Sequence, residues 1–217
     1  MSVILRNVVI DWLGHSSFKI SVMSGGKTLY IDPYILPDHA QPADIILVTH
    51  EHYDHLASAN ILRLLKPETV VVMPEACASS TDFAHLHAKA KIHLIGQDNK
   101  IAAAGFDIES FPAYNKGKAY HPKGRGVGYI ISAGRIRIYH AGDTDFIEEM
   151  ARLEKLNLDV ALLPIGGTYT MDEKEAADAV RIIRPKIAVP MHYGKITGGD
   201  PYKFEELVGK ACEVKVL

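Results

Sequence analysis

The residues with the clearest potential for chemistry are three histidines and one aspartate that lie within a span of six residues: His50, His52, Asp54 and His55. An apolar run over 44–48 precedes them and predicts a strand. Side chains two apart in an extended segment point the same way, so three of the four should converge, and a turn into the next helix would add His55. Imidazole and carboxylate groups are the ligands that zinc and similar divalent ions prefer. The segment therefore predicts a metal site.

The composition is that of an ordinary globular chain, apart from its 11 histidines. Hydrophobic residues make up 47%, and the net charge of -2 gives no chain-wide basic field, so we expect a small-molecule substrate rather than a nucleic acid. The two cysteines show no disulfide or metal spacing, which favours a reducing compartment. We see no signal peptide, and no apolar run is long enough to cross a bilayer. We therefore expect a cytoplasmic protein without a membrane span, and homo-oligomerisation is left open.

Short apolar or alternating runs with turn signals between them predict ten strands, and segments with helical spacing predict five helices. Hairpin-rich strands open each half of the chain, and strand–helix alternation follows. This order predicts a single α/β domain over 1–217, a four-layer αββα sandwich of two mixed sheets packed face to face with helices outside. A capping box is expected over 170–173. The predicted strands are 8–13, 18–23, 28–31, 44–48, 69–73, 106–113, 127–132, 135–140, 159–164 and 186–191, and the predicted helices are 57–65, 76–84, 146–153, 172–183 and 202–211.

Further motifs join the HxHxDH segment in a consistent order. They are Trp12-Leu13-Gly14-His15-Ser16-Ser17-Phe18, Tyr30-Ile31-Asp32-Pro33, Ala141-Gly142-Asp143-Thr144 and Pro190-Met191-His192-Tyr193-Gly194. Together the motifs resemble those of the metallo-β-lactamase superfamily. The two opening motifs are similar to those of its lactonase-like and N-acylphosphatidylethanolamine-phospholipase-like branch.

The resemblance implies a hydrolase with two metal ions, zinc being the expected metal and manganese or iron suiting the same ligands. It also implies a shared hydroxide that attacks a carbonyl or phosphoryl group, with Asp54 as the catalytic residue that orients it. The expected substrate is a small, anionic ester, either a phosphodiester or a sugar-phosphate lactone. The ligands implied are His50 and His52 for the first ion, Asp54, His55 and His192 for the second, and Asp143 as the bridge.

The sequence departs from the family pattern at one ligand of the first ion. Related enzymes place a third histidine in a Pro-Ala-x-His context, whereas Pro112-Ala113-Tyr114 leads here to Asn115. Asparagine is a poor zinc ligand. Either His121 folds in from the following loop, or the first ion keeps fewer protein ligands. The glycines of that loop favour His121, because they free the backbone to fold back.

Several other residues have two interpretations. His15 lies either beside the site or in a structural hydrogen bond, and Asp32 is expected to brace the metal loop. His140 is interpreted as structural. The segment 114–126 carries four cations, which either recruit an anionic substrate or belong to a solvated loop. The remaining histidines have no companion motif and are expected in solvent: His39, His85, His87 and His93.

Two alternative functions compete with hydrolysis of a small ester. One is a non-catalytic module that keeps the metal for binding, although Asp54 and Asp143 are both present and favour catalysis. The other is a small RNA-processing nuclease of the same fold, which usually needs a basic exosite that the sequence does not show.

Overall fold

The computed structural model describes residues 2–195 and 197–217. The first half of the chain forms a seven-stranded mixed sheet whose strands lie side by side in sequence order. The first four strands pair antiparallel and the later ones parallel. The strands are β1 (Ser2–Leu5), β2 (Val8–Gly14), β3 (Ser17–Val22), β4 (Lys27–Ile31), β5 (Ile45–Leu47), β6 (Val70–Pro74) and β7 (Lys91–Ile95).

The second half repeats this arrangement in a second seven-stranded sheet. Again the first four strands are antiparallel and the last three join in parallel. The predicted arrangement of two mixed sheets with helices is therefore confirmed. The strands are β8 (Lys100–Ala103), β9 (Phe106–Ala113), β10 (Gly126–Ala133), β11 (Ile136–His140), β12 (Val160–Pro164), β13 (Ile187–Met191) and β14 (Glu213–Val214).

The apolar patterns explain how the sheets pack. The parallel strands β5, β12 and β13 are buried at every position, because the other sheet covers one face and helices cover the other. One large apolar cluster contains residues of both sheets, including Ile20 and Ile31 of the first and Ile108 and Ile131 of the second. The core between the sheets holds the two halves together.

The helices cover the outer faces of the sheets. A smaller apolar cluster packs α1 and α2 onto the first sheet, and α3 packs against α4 and a 3-10 helix beside the second. None of the helices in the described part of the chain has the length and apolar character needed to cross a membrane. The α-helices are α1 (Ser58–Leu64), α2 (Thr81–His87), α3 (Glu173–Ile183) and α4 (Pro201–Val208), and the 3-10 helices are Glu75–Ser79 and Glu148–Leu156.

All ten predicted strands are confirmed to within one residue at each end, but some helix predictions are wrong. The helix expected over 76–84 is divided at Ser80, whose side chain accepts a hydrogen bond from the Phe83 amide and so caps α2. The capping box joins Asp172 to Glu175 rather than spanning 170–173. Strands β1, β7, β8 and β14 lie at sheet edges and were not predicted; they are short and only partly buried, so their pattern is weak.

Candidate metal centre

The candidate ligands lie in loops that follow strand ends at one edge of the two sheets. Parallel strands place their carboxyl ends on the same edge, which is where α/β folds build their sites. The loop after β5 carries the HxHxDH residues, and the loops after β2, β9, β11 and β13 supply the others. The side chains that converge there are His15, His50, His52, Asp54, His55, His121, Asp143 and His192.

A first group consists of His50, His52 and His121, whose ligand atoms all lie within 4.8 Å of one another. The Nε2 atom of His50 is 3.0 Å from Nδ1 of His52. The ring of His121 lies 4.9 Å from that of His50 and 5.0 Å from that of His52. The structure thus brings the loop histidine, and not Asn115, beside the first two candidate ligands.

A second group consists of His15, Asp54, His55 and His192, again with ligand atoms within 4.8 Å of one another. The Nε2 atom of His15 lies 3.1 Å from Oδ2 of Asp54, and its ring is 4.2 Å from that of His192. Of the two interpretations of His15, the structure supports the one that places it beside the site.

Asp143 stands between the two groups. Its Oδ2 atom lies 3.4 Å from Nε2 of His121, in the first group. It lies 3.0 Å from Nε2 of His192 and 3.5 Å from Nε2 of His55, both in the second. A single carboxylate oxygen therefore faces imidazole nitrogens from both groups. Gly142, directly before Asp143, has no room for a side chain, because a Cβ there would lie 2.8 Å from the carbonyl oxygen of Val127.

Asp32 and Thr49 orient the rings of the HxHxDH loop. Oδ1 of Asp32 accepts the Thr49 amide at 2.8 Å, and Oδ2 accepts the Thr49 hydroxyl and His55 Nδ1, each at 2.7 Å. Since the Thr49 hydroxyl donates to Asp32, it accepts from His50 Nδ1 at 3.0 Å. Both rings then direct Nε2, rather than Nδ1, into the site, which is the orientation that buried metal ligands need. These hydrogen bonds are the ones that the expected bracing role of Asp32 requires.

Asn115 orients His121. Its Oδ1 atom lies 3.0 Å from His121 Nδ1 and accepts the His121 backbone amide at 3.1 Å. Its amide nitrogen donates to Asp145 Oδ1 at 3.0 Å and to the Tyr169 carbonyl at 2.9 Å. His121 Nδ1 also faces the Tyr169 carbonyl at 3.1 Å, so this nitrogen carries the proton and Nε2 is left as a ligand atom.

The opening motif holds the second group in place through its backbone. The carbonyl of His15 accepts the His192 amide at 3.0 Å and the Trp12 indole N–H at 2.9 Å. The Ser17 hydroxyl donates to the Asp32 carbonyl at 2.6 Å. A motif distant in sequence therefore fixes the loops after β4 and β13.

Outside the centre, the other histidines are placed as expected. His140 is fully buried, with Nε2 facing the Ser16 carbonyl at 3.0 Å and Nδ1 accepting the Gly142 amide at 3.2 Å. The four histidines without a motif are exposed: His39, His85, His87 and His93. The sequence prediction included neither Thr49, directly before His50, nor the orienting role of Asn115, which stands where related enzymes carry a ligand histidine.

The cations of segment 114–126 are mostly occupied by carboxylates of the same chain. Lys118 binds Asp145 at 2.8 Å, Lys123 binds Glu149 at 2.9 Å, and Arg125 binds Glu51 at 2.6 Å. Lys116 is exposed, and the described contacts include no ion pair of its side chain. Three of the four cations are thus committed to internal ion pairs, two of them at exposed side chains, which agrees better with the solvated loop than with recruitment of an anionic substrate.

Changing Lys123 to glutamine is expected to alter KM by less than about twofold, equally for anionic and neutral substrates. The Lys123–Glu149 pair is largely solvent-exposed, and water screens such pairs, so losing this charge should have little effect. Steady-state kinetics on a charged and an uncharged ester test this, with Lys116→Gln as the matched variant. A KM increase confined to the anionic ester would show that the substrate displaces Glu149.

The ionisation states of the buried groups suit cation binding. Burial lowers the pKa of His50 and of His121, so both imidazoles are neutral at neutral pH. Burial raises the pKa of Asp143, but the nearby His192 and His55 outweigh it and hold the pKa well below its usual range. Burial lowers the pKa of His55, yet Asp143 and Asp32 raise it well above its ordinary value. Metal binding at His55 therefore releases a proton.

Unpartnered atoms provide a separate test of whether a metal fits. Within the described structure, four buried atoms of the centre have no hydrogen-bond partner, a condition that normally costs about 1–3 kcal/mol each. They belong to three imidazoles and one carboxylate, which is the donor set of a transition-metal site. The atoms are Nε2 of His55, Nε2 of His121, Oδ1 of Asp143 and Nδ1 of His192. The residues present therefore fit bound metal.

Two mixed sheets flanked by helices, with a histidine–aspartate centre at their common edge, define a metal-dependent hydrolase of the metallo-β-lactamase fold. The family model described as the beta-lactamase superfamily domain matches residues 9–192. The chain belongs to this superfamily.

Known proteins support the assignment over the full length. A UPF0173 metal-dependent hydrolase of Staphylothermus marinus is 37% identical, and the alignment covers 96% of this chain and 94% of the relative. A crystal structure from Parabacteroides distasonis superposes with a TM-score of 0.85 at 30% identity, covering 100% of this chain and 96% of the other. The metallo hydrolase Igni18 of Ignicoccus hospitalis gives a TM-score of 0.79 at 28% identity, covering 97% and 94%.

Proposed function

We propose that this chain hydrolyses a small anionic ester, a phosphodiester or a sugar-phosphate lactone, at a centre that holds two metal ions. The observation that carries the proposal is the position of Asp143 Oδ2, which lies within 3.5 Å of imidazole nitrogens from both ligand groups. A carboxylate in that position suits a bridge between two cations. A second ion would give the buried imidazoles of both groups a partner.

In this proposal His50, His52 and His121 hold the first ion, and Asp54, His55 and His192 hold the second, with Asp143 shared. Imidazole-rich sets favour zinc, and manganese and iron are the alternatives. When bound, the ions would supply a nucleophile from water near neutral pH and neutralise charge that develops on the scissile group. The metals, rather than the paired lysines of segment 114–126, would thus neutralise an anionic substrate.

The protein's own groups would orient the reactants. Burial raises the pKa of Asp54, but the hydrogen bond from His15 and the charge of His55 outweigh this and hold the pKa at about 2. Asp54 is therefore ionised at neutral pH, and one of its oxygens can accept a hydrogen bond from the attacking water and so orient it. His15, at 3.1 Å, fixes the rotamer of that carboxylate. Asp32, Thr49 and Asn115 keep the neighbouring imidazoles in the ligand tautomer.

The purified protein is expected to contain close to two equivalents of transition metal per chain. The basis is the presence of two ligand groups joined by one carboxylate. Elemental analysis after metal-supplemented expression measures the stoichiometry. A single equivalent would exclude the dinuclear centre, and none would exclude the whole assignment.

Hydrolysis is tested with the same preparation on a panel of phosphodiesters, lactones and thioesters of small size. We expect turnover of phosphodiesters or lactones that chelation abolishes and added metal restores. A protein with two metals and no turnover on the whole panel would favour the non-catalytic module instead.

A further inference from the structure

Three of the most exposed aromatic side chains of the described chain lie around the metal centre. Tyr53, between the candidate ligands His52 and Asp54, is 72% exposed; Tyr120, directly before His121, is 49% exposed; and Tyr34 is 36% exposed. Exposed apolar side chains that stand singly are ordinary on a protein surface, whereas grouped ones mark sites of recognition. Their shared position calls for a functional explanation.

These tyrosines form two pairs. Tyr34 and Tyr53 pack edge to face with their ring centroids 6.0 Å apart, and the ring of Tyr34 is 5.9 Å from that of His15. Tyr120 and Tyr169 pack in the same manner at 4.7 Å. The first pair therefore adjoins the second ligand group, through His15.

The second pair adjoins the first ligand group. The Tyr169 carbonyl is 3.1 Å from Nδ1 of His121. Tyr120 lines a cleft together with His52, His121 and Arg125, and Asp143 lies in its wall. Each end of the metal centre thus has an aromatic pair beside it, and one member of each pair, Tyr53 or Tyr120, lies next to a candidate ligand in the chain.

The charges beside the tyrosines restrict what they can bind. Arg125, the cation that lines the cleft, is paired with Glu51 at 2.6 Å, so its charge is neutralised within the protein. A substrate group resting on this rim gains little from carrying its own charge. Exposed aromatic rings instead favour another planar ring, through offset stacking and edge-to-face contact.

We propose that the four tyrosines form an aromatic rim and that one of its two pairs binds a planar ring on the leaving group of a phosphodiester substrate, so that the preferred substrates are aryl or nucleoside phosphodiesters. The inference rests on the proposed function, because the reacting group is placed at the metal centre. It adds to that function the class of the group next to the scissile bond. The rim residues Tyr34, Tyr53, Tyr120 and Tyr169 serve specificity and take no part in bond breaking.

The test measures binding of compounds that cannot be hydrolysed. Isothermal calorimetry on the metal-containing protein compares phenylphosphonate, cyclohexylphosphonate and methylphosphonate, which carry the same charged group. We expect phenylphosphonate to bind about three- to tenfold more tightly than methylphosphonate, with the cyclohexyl compound in between. Equal affinities, or no binding of phenylphosphonate at millimolar concentration, would overturn the proposal.

Variants of the rim assign the preference to the tyrosines. Tyr53→Leu or Tyr120→Leu should reduce the phenyl advantage, according to which pair holds the ring, whereas Tyr53→Phe and Tyr120→Phe should both keep it. Tyr202→Leu is the matched control, since Tyr202 is 69% exposed and lies on α4. Retention of the full advantage in both leucine variants would overturn the proposal. So would a wild-type dimer that the leucine variants dissociate, because the rim would then be a protein interface.

The binding test separates this inference from the proposed function. Preferential binding of phenylphosphonate without hydrolysis of any ester would support the aromatic rim and contradict the proposed hydrolase activity. Hydrolysis of small esters without any preference for a ring would support the hydrolase activity and contradict the aromatic rim.

Discussion

Replacing Asp143 by alanine is expected to abolish hydrolysis and to weaken the binding of both metal ions by at least about a hundredfold. Changes to groups that only orient a ligand already cost about 10–100-fold in metal affinity. Asp143 stands between both ligand groups, and without it two cations about 3.5–4 Å apart would repel each other unshielded. Metal content and turnover of the purified variant provide the measurement.

Two controls separate this effect from a general loss of structure. His85→Ala changes an exposed histidine of α2 and should leave both metals and turnover unchanged. Asp143→Asn keeps the shape of the side chain and removes its charge, so circular dichroism should show a folded protein that still loses activity. Near-normal turnover of Asp143→Ala would rule out the bridging assignment.

Replacing His121 by alanine is expected to reduce affinity at the first metal site by more than about a hundredfold, with little change at the second. His121 is the third imidazole of the first group, and its Nε2 atom is buried without a hydrogen-bond partner. Asn115→Ala should cost less, about 10–100-fold, because it removes only the group that orients His121. Titration of zinc into the metal-free variants, followed by calorimetry, measures both losses.

The order of the two effects is the informative result. His93→Ala, at an exposed position of β7, is the control and should bind metal normally. A larger loss in Asn115→Ala than in His121→Ala would make the asparagine oxygen the ligand. Unchanged affinity in His121→Ala would leave the first ion with two imidazoles and the bridge.

Much of the fold could be predicted from the sequence, because the composition of a buried strand reflects its surroundings. Strands such as β5 and β12, covered on both faces, are continuous apolar runs, and their bounds were predicted to within one residue. Edge strand β7 alternates apolar and polar residues, but it is only five residues long and exposed over most of its length, so its signal is weak. Its pairing depends on neighbours distant in sequence.

The candidate site likewise combines ligands that are close together in sequence with contacts between residues that are far apart. The HxHxDH ligands are local, so their convergence could be predicted from the alternation of an extended chain. The role of Asn115 depends on Asp145 and Tyr169, which lie 30 and 54 residues further along the chain. The ion pairs that occupy Lys118 and Lys123 are equally distant contacts, and the sequence alone could not reveal them.

The ligands of the centre come from both halves of the chain, and this affects how the centre assembles during synthesis. His50, His52 and His55 lie in the first half, whereas Asp143 and His192 follow β11 and β13 of the second. During synthesis a cluster of imidazoles therefore leaves the ribosome long before the groups that complete it. Such an unfinished site binds ions in the general order of divalent affinity, with copper above zinc. Selection of the correct ion must then depend on supply in the cell until residue 192 has been made and the second half has folded onto the first.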